Sequence, residues 1–492
     1  MTSASPPIGV ILFAVVVVGC LVADGVTWNW QYRKAGTGEE QGEREDALQL
    51  LKWLLILHAL SAAVVMTSWL ITGCVRRVTV MFQGVILTVF GYLNSLLLSA
   101  ILTPLLPLSS PAAFSCVAAI AAVFTLCFFL QFTSLAVPRL RPTWYLLLVS
   151  WPATWYFSSV LLSLSLLWIV FLIPSPLALL LLLLPFLLSL FGLYQSLTDT
   201  VEHLTIDVRP TLSFPSLRRL PLQAKDTEES ALLSPHDDPR EPEDPEEAGP
   251  NGPKTLRIMQ ITDPHLGPFM SVNRLQSICR DVVREDPDLV LLTGDFYTLE
   301  GEHTPGSLAA ALSPLKPLNG RLFACFGNHD IESKTAREAT VKDLQEAGVV
   351  LLVDEEVAVD LPGKGRVQVV GVDFFGRKHR PKVTEVCRRL KRREDCPLRI
   401  IMLHDPAGFP LIDPDDGGLV FSGHTHGGQL GFVSLGLPSI TLAGLVHPAN
   451  GYWGHGHNRN YIGRGQGCRF MFANFLVRLG VPTETAVMTF RW

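Results

Sequence analysis

Five short clusters of aspartate, histidine and asparagine are the residues of this chain whose types and spacing could do chemistry. In chain order they are Asp263-Pro264-His265, Gly294-Asp295, Gly327-Asn328-His329-Asp330, His404-Asp405 and Gly423-His424-Thr425-His426. One such cluster alone is common in loops, where an aspartate more often caps a helix than binds a ligand. Together they offer carboxylate, imidazole and amide donors without thiolate, a set that suits cations such as Mn, Fe or Zn.

The number of donors indicates two metal ions. Seven side chains are too many for one ion and suit two ions that share a carboxylate; they are Asp263, His265, Asp295, Asn328, His404, His424 and His426. Two ions about 3.5 to 4 Å apart clamp the attacking and leaving oxygens of a phosphoryl transfer. They also acidify a bridging water to a hydroxide nucleophile. The chemistry predicted is hydrolysis of a phosphoester, in which His329 holds the phosphoryl group or protonates the leaving oxygen.

The elements that must position these residues are short apolar runs, each of which reads as a buried strand. The predicted strands are Leu256 to Thr262, Asp288 to Thr293, Arg321 to Gly327, Val367 to Val372, Leu398 to Leu403, Leu419 to Ser422 and Ala486 to Phe490. Helical periodicity predicts helices over Val272 to Arg284, Lys334 to Ala347 and Lys382 to Arg393. In α/β sheets, chemistry gathers at the carboxyl ends of strands, where the clusters fall.

The ordered clusters resemble the signature blocks of the calcineurin-like metallophosphoesterases, especially a bacterial membrane-associated branch with the sequence GHTHGGQ, here residues 423–429. The resemblance covers roughly residues 255 to 492. It implies a two-sheet α/β sandwich flanked by helices that hydrolyses phosphomonoesters and phosphodiesters. Pro264 and Thr298 depart from the family pattern at positions that are not metal ligands, which puts rate and substrate choice in doubt more than metal binding.

The resemblance also implies a role for each site residue. The first metal would be held by Asp263, His265, Asp295 and His426, and the second by Asp295, Asn328, His404 and His424. His329 would contact the phosphate, so His329 and Asp295 are the expected catalytic residues. Arg464 is expected to be a surface residue, with contact to substrate phosphate as the alternative. His455 and His457 are expected to lie in a flexible surface loop rather than in a third metal site.

The first half of the chain has a membrane composition. Residues 142–198 contain no Asp, Glu, Lys or Arg, and hydrophobic residues make up 48% of the whole chain. A membrane helix needs roughly 20 apolar residues. Four spans are predicted at Pro7 to Ala23, Trp53 to Val75, Val78 to Leu102 and Ala112 to Val137. A fifth, or a fifth and a sixth, fill Trp144 to Ile173 and Leu177 to Leu197.

The predicted organisation is a multi-pass α-helical membrane domain over residues 1–210, a linker over 211–253 and a metallophosphoesterase domain over 254–492. The linker is rich in proline and acidic residues, and such a segment buries too little apolar surface to fold. Positively charged residues resist translocation, so the loops with Arg76/Arg77 and Arg139/Arg141 are predicted to lie on the cytosolic side of the membrane. With six spans the catalytic domain is then cytosolic, and with five it lies on the other side. The chain contains no Asn-x-Ser/Thr sequon, and its C-terminal half has five cysteines without an evident partner, which both favour the cytosol.

The predicted protein is therefore a membrane-anchored, binuclear metal-dependent phosphohydrolase. Its expected partners are two divalent cations, a phosphoester substrate and membrane lipids. Because the protein is expected to be anchored in a membrane, the substrate is expected to be a lipid or another phosphoester close to the membrane. A net charge of −5 gives no basic footprint for nucleic acid. The alternative functions are a catalytically silent metal-binding membrane scaffold and a transporter. The predicted spans lack the buried charges that the transporter needs.

Overall fold

The protein is described here by a computed structural model. It covers residues 137–164, 175–207, 213–220, 223–224, 255–376, 381–433, 448–469 and 477–491, with isolated residues between 63 and 135 and at 166. The chain divides into two compact units, Met1–Phe191 and Gly192–Trp492. The first three predicted spans lie wholly or almost wholly outside the described residues, as do more than half of the fourth and the acidic part of the predicted linker, and these remain predictions.

Two apolar helical segments lie in the region predicted as the last one or two spans. The segments are α1 (Thr143–Tyr145), a π-helical stretch (Leu146–Ser150), α2 (Trp151–Leu164) and α3 (Ser175–Leu197). Within the described part of the chain, Thr143–Ser163 and Leu180–Leu197 are long and apolar enough to cross a bilayer. Two such helices are weak support for a membrane protein, and the number of spans remains a prediction.

The second unit is built on two seven-stranded sheets. The strands are β1 (Val201–Asp207), β2 (Phe214–Arg219), β3 (Gln223–Ala224), β4 (Thr255–Ile261), β5 (Leu289–Leu292), β6 (Leu322–Ala324), β7 (Val350–Leu351), β8 (Glu355–Leu361), β9 (Gly365–Val372), β10 (Leu398–Leu403), β11 (Leu419–Ser422), β12 (Gly451–Gly456), β13 (Asn458–Ile462) and β14 (Thr485–Arg491). One sheet has the order β3-β1-β14-β4-β5-β6-β7, and the other β2-β12-β13-β11-β10-β9-β8.

The two sheets pack face to face, and helices cover their outer faces. The central core joins Ile258 and Leu291 of the first sheet to Ile400 and Phe421 of the second. The helices of this unit are α4 (Val272–Glu285), α5 (Leu299–Glu302), α6 (Ser307–Leu312), α7 (Lys334–Glu346) and α8 (Pro381–Arg389). Apolar residues of α4, α6 and α7 pack on the first sheet, and those of α8 on the second. The sandwich is the architecture that the sequence implied.

All seven predicted strands and all three predicted helices are present, with bounds within three residues of those expected except at one helix end. The helix predicted to reach Arg393 ends at Arg389, and Arg393 lies beyond it, where it pairs with Asp395 at 2.9 Å. The sheets also begin before residue 254. β1 pairs in parallel with β14, and β2 pairs with β12, so residues expected in the membrane domain and the linker supply strands.

Candidate metal centre

The structure brings the five sequence clusters to one edge of the sandwich. Strands β4, β5 and β6 run parallel in one sheet, and β10 and β11 run parallel in the other. Each of these five strands ends directly before one cluster, or within a few residues of it. Because parallel strands end at the same edge, donors far apart in sequence meet where the two sheets converge.

A first group of donors consists of Asp263, His265 and His426, all buried. Nε2 of His426 lies 3.1 Å from Nε2 of His265 and 3.5 Å from Oδ1 of Asp263. The backbone carbonyl of Tyr297 accepts from Nδ1 of His265 at 3.2 Å, which leaves the Nε2 lone pair facing the group. A carboxylate oxygen and two ring nitrogens that converge in this way are an arrangement that a cation fits.

A second group of donors consists of Asp295, His404 and His424. Oδ2 of Asp295 lies 3.2 Å from Nε2 of His404 and also 3.6 Å from Nε2 of His265, which belongs to the first group. One oxygen of Asp295 therefore stands between the two groups. The carbonyl of Thr293 accepts from Nδ1 of His404 at 2.6 Å and so fixes its ring.

Nδ1 of His424 and Oδ1 of Asn328 are two of the buried polar atoms at this edge that have no hydrogen-bond partner. A buried polar atom without a partner costs about 1 to 3 kcal/mol. Both atoms are ligand atoms of the types that the donor set offers, and a cation would satisfy them. Asn328 lies beside His329, whose backbone N–H donates to Oδ1 of Asp295 at 2.8 Å. The residues present therefore fit a pair of divalent ions.

Burial and mutual charge set the protonation of the donors. Burial lowers the pKa of His265 and His426 well below the usual value and that of His424 to about 4, so these rings are neutral and can act as ligands. Burial raises the pKa of Asp263 to about 6, against the attraction of His404. Burial acts against the charged form of His404 too, but the Asp295 carboxylate raises the pKa of His404 to about 10. A carboxylate that attracts a proton in this way also attracts a cation.

The backbone at the site is held in an unusual conformation. Asp263, His265, Asp295, His424 and His426 all have positive φ, between 47° and 69°. Residues other than glycine adopt this left-handed region at a cost, and such strain collects at functional sites. Glycines provide the close approach: a Cβ on Gly327 would lie 2.2 Å from Oδ1 of Asp295. The strand-end turns thus pack backbone directly against the carboxylates.

His329 is placed beside the two groups rather than within either. Its ring centroid lies 5.4 Å from that of His265, and its Nδ1 lies 2.8 Å from Oε2 of Glu332. The Glu332 carboxylate orients the ring, and in return the contact with His329 lowers the pKa of Glu332. The expectation that His329 acts on the phosphate and is not a ligand stays a prediction.

Two positioning residues had no role in the sequence prediction. Asp330 is fully buried, and its carboxylate accepts the backbone N–H groups of Gly327 and Asp295 at 2.7 Å and of Phe296 at 2.8 Å. Its place in the third cluster was a signal that could have identified it. Arg478 is also fully buried, and its Nη2 lies 3.2 Å from Nδ1 of His426. It is 52 residues from His426, and no local motif marks it.

Two expectations about polar residues of the tail were wrong. Arg464 is neither on the surface nor free to meet substrate, because it is buried and forms ion pairs with Glu202 and, at 3.5 Å, with Glu484. The segment with His455 and His457 is not a flexible loop, because β12 and β13 form an antiparallel hairpin there. In both cases β-sheet pairing and charge burial override the local composition.

A small, partly open cavity lies beside the second group of donors. It is lined by Asp373, Phe374, Phe375, Gly376, Val383, Leu403, His404, Asp405 and Gly408. The Phe374 ring lies 6.2 Å from the ring of His404 and 6.0 Å from that of His424. The space next to the metal-ligand candidates is therefore largely apolar and aromatic.

Comparison with known proteins agrees with this geometry. The family model of the calcineurin-like phosphoesterases matches residues 256–428. The phosphodiesterase YaeI of Escherichia coli is 26% identical over 215 residues, which are 43% of this chain and 75% of that protein. A metallophosphoesterase of Aquifex aeolicus is 33% identical over 185 residues, 36% of this chain and 66% of that protein.

The name of one vertebrate relative indicates that it combines such a domain with a membrane part. The transmembrane protein with metallophosphoesterase domain of Danio rerio is 30% identical over 200 residues, which are 39% of this chain and 44% of that protein. The aligned region thus covers from under half to three-quarters of these three relatives. The C-terminal region of the chain is a calcineurin-like metallophosphoesterase domain, a domain of phosphoester hydrolases.

Proposed function

We propose that the protein is a membrane-anchored phosphohydrolase whose activity depends on two divalent ions. The observation that carries the proposal is the position of Asp295: its Oδ2 lies 3.6 Å from His265 in one donor group and 3.2 Å from His404 in the other. A carboxylate shared in this way is the bridge that a binuclear centre needs. The mixed nitrogen and oxygen donors favour Mn, Fe or Zn.

The proposed ligands are the members of the two groups together with Asn328, whose buried Oδ1 has no hydrogen-bond partner. Asp263, His265, Asp295 and His426 would hold the first ion, and Asp295, Asn328, His404 and His424 the second. When bound, the ions would supply Lewis-acid chemistry, activating a water and neutralising charge on the phosphoryl oxygens. The chain itself orients the ligands: the carbonyls of Tyr297 and Thr293 fix the rings of His265 and His404.

His329 is the proposed acid and phosphate-binding group. Glu332 holds its Nδ1, so Nε2 is the nitrogen left for a phosphoryl oxygen or for the leaving oxygen. Its side chain is 18% exposed, which lets a substrate reach it. Hydrogen-bond donation to an oxygen that gains charge in the transition state typically contributes a factor of about 10² to 10⁴ to the rate.

The substrate is proposed to be a phosphoester at or near a membrane. Two apolar helices and the name of the Danio rerio relative support the anchor. A tethered enzyme meets substrates in the same membrane at high effective concentration, which favours lipid phosphoesters. The apolar lining of the cavity beside His404 favours a substrate with an organic group next to its phosphate.

The test uses the full chain, purified in detergent with Mn²⁺. We expect hydrolysis of p-nitrophenyl phosphate or bis(p-nitrophenyl) phosphate that EDTA abolishes and Mn²⁺ restores. Asp295→Asn and His424→Ala should abolish turnover, whereas His303→Ala, in a loop histidine bonded to the Leu299 carbonyl at 3.0 Å, should retain it. A folded, metal-loaded protein that is inactive on both compounds would favour the silent scaffold instead.

A further inference from the structure

The last turn of α3 is fastened to the segment that follows the metal site in sequence. Ser196 Oγ accepts the backbone N–H of Arg478 at 2.8 Å, and Oε1 of Gln195 accepts that of Gly480 at 2.7 Å. Gly192 permits this contact, because a Cβ there would lie 2.7 Å from the carbonyl oxygen of Arg478. The end of this candidate membrane helix therefore binds the backbone at Arg478.

α4 fastens the same turn from a second side. Arg274 donates from Nη1 to the carbonyl of Ser196 at 2.9 Å and from Nη2 to that of Thr198 at 3.1 Å. It also forms an ion pair with Asp199 at 2.6 Å. Residues 192–199 are therefore packed into the catalytic unit and do not act as a loose tether.

The Arg478 side chain binds the backbone around the first donor group. Its Nη1 donates to the carbonyl of His426 at 3.2 Å, and its Nη2 donates to the carbonyls of Arg464 at 2.7 Å and Gly467 at 2.6 Å. Gly467 in turn donates its N–H to the carbonyl of Asp263 at 2.9 Å. One buried guanidinium therefore cross-links the backbone at His426 to the loop that holds Asp263.

The strain at the site explains why such a cross-link is needed. His426 and Asp263 both have φ of 51°, and positive φ in residues other than glycine persists only where the surroundings enforce it. Equivalent support reaches the second donor group from other elements: the Thr293 carbonyl on His404 and the Asp330 carboxylate on Asp295. Arg478 therefore serves the first group and not the second.

We propose that Arg478 is a positioning residue for the first metal ion, and that the last turn of α3, through Ser196, holds Arg478 in place. The proposal rests on the binuclear function proposed above. Its consequence is that the end of the candidate membrane helix is part of the support of the metal site. Loss of Arg478 then weakens the binding of the first ion and leaves the binding of the second unchanged.

The test compares two buried arginines in the full chain. Arg478 and Arg399 are both 0% exposed, but Arg399 bonds Asp416 and the carbonyls of Cys387 and Leu390 at the far side of the second sheet. Mn²⁺ binding is measured by equilibrium dialysis with elemental analysis, and by the spin-coupled signal of paired Mn²⁺ ions. Unfolding is followed in parallel.

For Arg478→Lys we expect one of the two Mn²⁺ equivalents to bind at least tenfold more weakly, and the paired-ion signal to give way to that of an isolated ion. Arg399→Lys should keep two equivalents at a similar cost in stability. Wild-type affinity for both ions in Arg478→Lys overturns the proposal, as does equal weakening of both. A wild-type protein that binds fewer than two ions overturns the binuclear function itself.

A second variant decides the matter if Arg478→Lys does not fold. Ser196→Ala removes only the hydroxyl that accepts the Arg478 backbone N–H. We expect Ser196→Ala to weaken the binding of the same Mn²⁺ ion by a smaller factor, about two- to fivefold, because the variant loses one neutral hydrogen bond. An unchanged Mn²⁺ titration in Ser196→Ala contradicts the role assigned to α3.

Discussion

Gly423 is the position where a single methyl group should disable the site. It follows β11 directly, and a Cβ there would lie 2.0 Å from Oγ1 of Thr262 and 2.2 Å from Oδ2 of Asp263. Contacts of Cβ atoms below 3.0 Å are essentially not seen in proteins, so Asp263 and its neighbour must shift by about 1 Å. The Gly423 backbone is not left-handed, so Gly423→Ala tests the steric effect alone.

The magnitude follows from that shift. A displacement of about 1 Å in a catalytic constellation costs on the order of 10²-fold in rate. Overpacking of a well-filled site costs about 1 to 3 kcal/mol in stability. We therefore expect Gly423→Ala to lower kcat/KM by about 10²-fold and to bind less Mn²⁺ at the first donor group, while the protein remains folded.

Gly418, which precedes the same strand, supplies the control. A Cβ there would first meet Cδ1 of Ile401 at 3.0 Å, the end of a flexible side chain. Gly418→Ala should therefore keep near-wild-type turnover and both ions. The assay is steady-state hydrolysis of bis(p-nitrophenyl) phosphate with Mn²⁺, together with metal content and thermal unfolding. Turnover of Gly423→Ala within twofold of the wild type would refute the steric reasoning.

The remaining predictions concern three side chains around the donors. Asp330→Asn should destabilise the fold by about 3 kcal/mol in urea unfolding, because an amide replaces a carboxylate that accepts three buried N–H groups; a loss under 1 kcal/mol would contradict this role. His329→Ala should lower kcat about 10²-fold or more while both Mn²⁺ equivalents stay bound, and loss of an ion would mean that His329 is a ligand. Phe374→Ala, in the cavity beside His404, should raise KM for aryl phosphoesters and leave kcat nearly unchanged.

Much of the catalytic unit could be predicted from the sequence because its strands are short, continuous apolar runs. Leu398–Leu403 and Leu419–Ser422 coincide with the predicted strands, since both are buried on each face and end at polar clusters. The convergence of the clusters followed from the rule that parallel strands end at one edge. The two donor groups of the structure contain six of the seven predicted ligands.

The missing parts depend on contacts between residues distant in sequence. β1 contains Glu202, His203 and Asp207 and resembles a polar connection, yet all seven of its residues pair with β14. Arginine is usually a surface residue, but Arg464 is buried, where it pairs with Glu202 and Glu484. No periodicity in the sequence indicates that Arg478 would reach His426, because 52 residues separate them and only the folded chain brings them together.

The central claim is that Asp295 joins two ions in one site. Elemental analysis of the full chain, purified with Mn²⁺ and exchanged into metal-free buffer, measures it most directly. The account predicts about two Mn²⁺ per chain with a spin-coupled signal, and Asp295→Ala should lose that coupling. At most one equivalent in a well-folded wild-type protein, or two uncoupled ions that Asp295→Ala leaves in place, would contradict it.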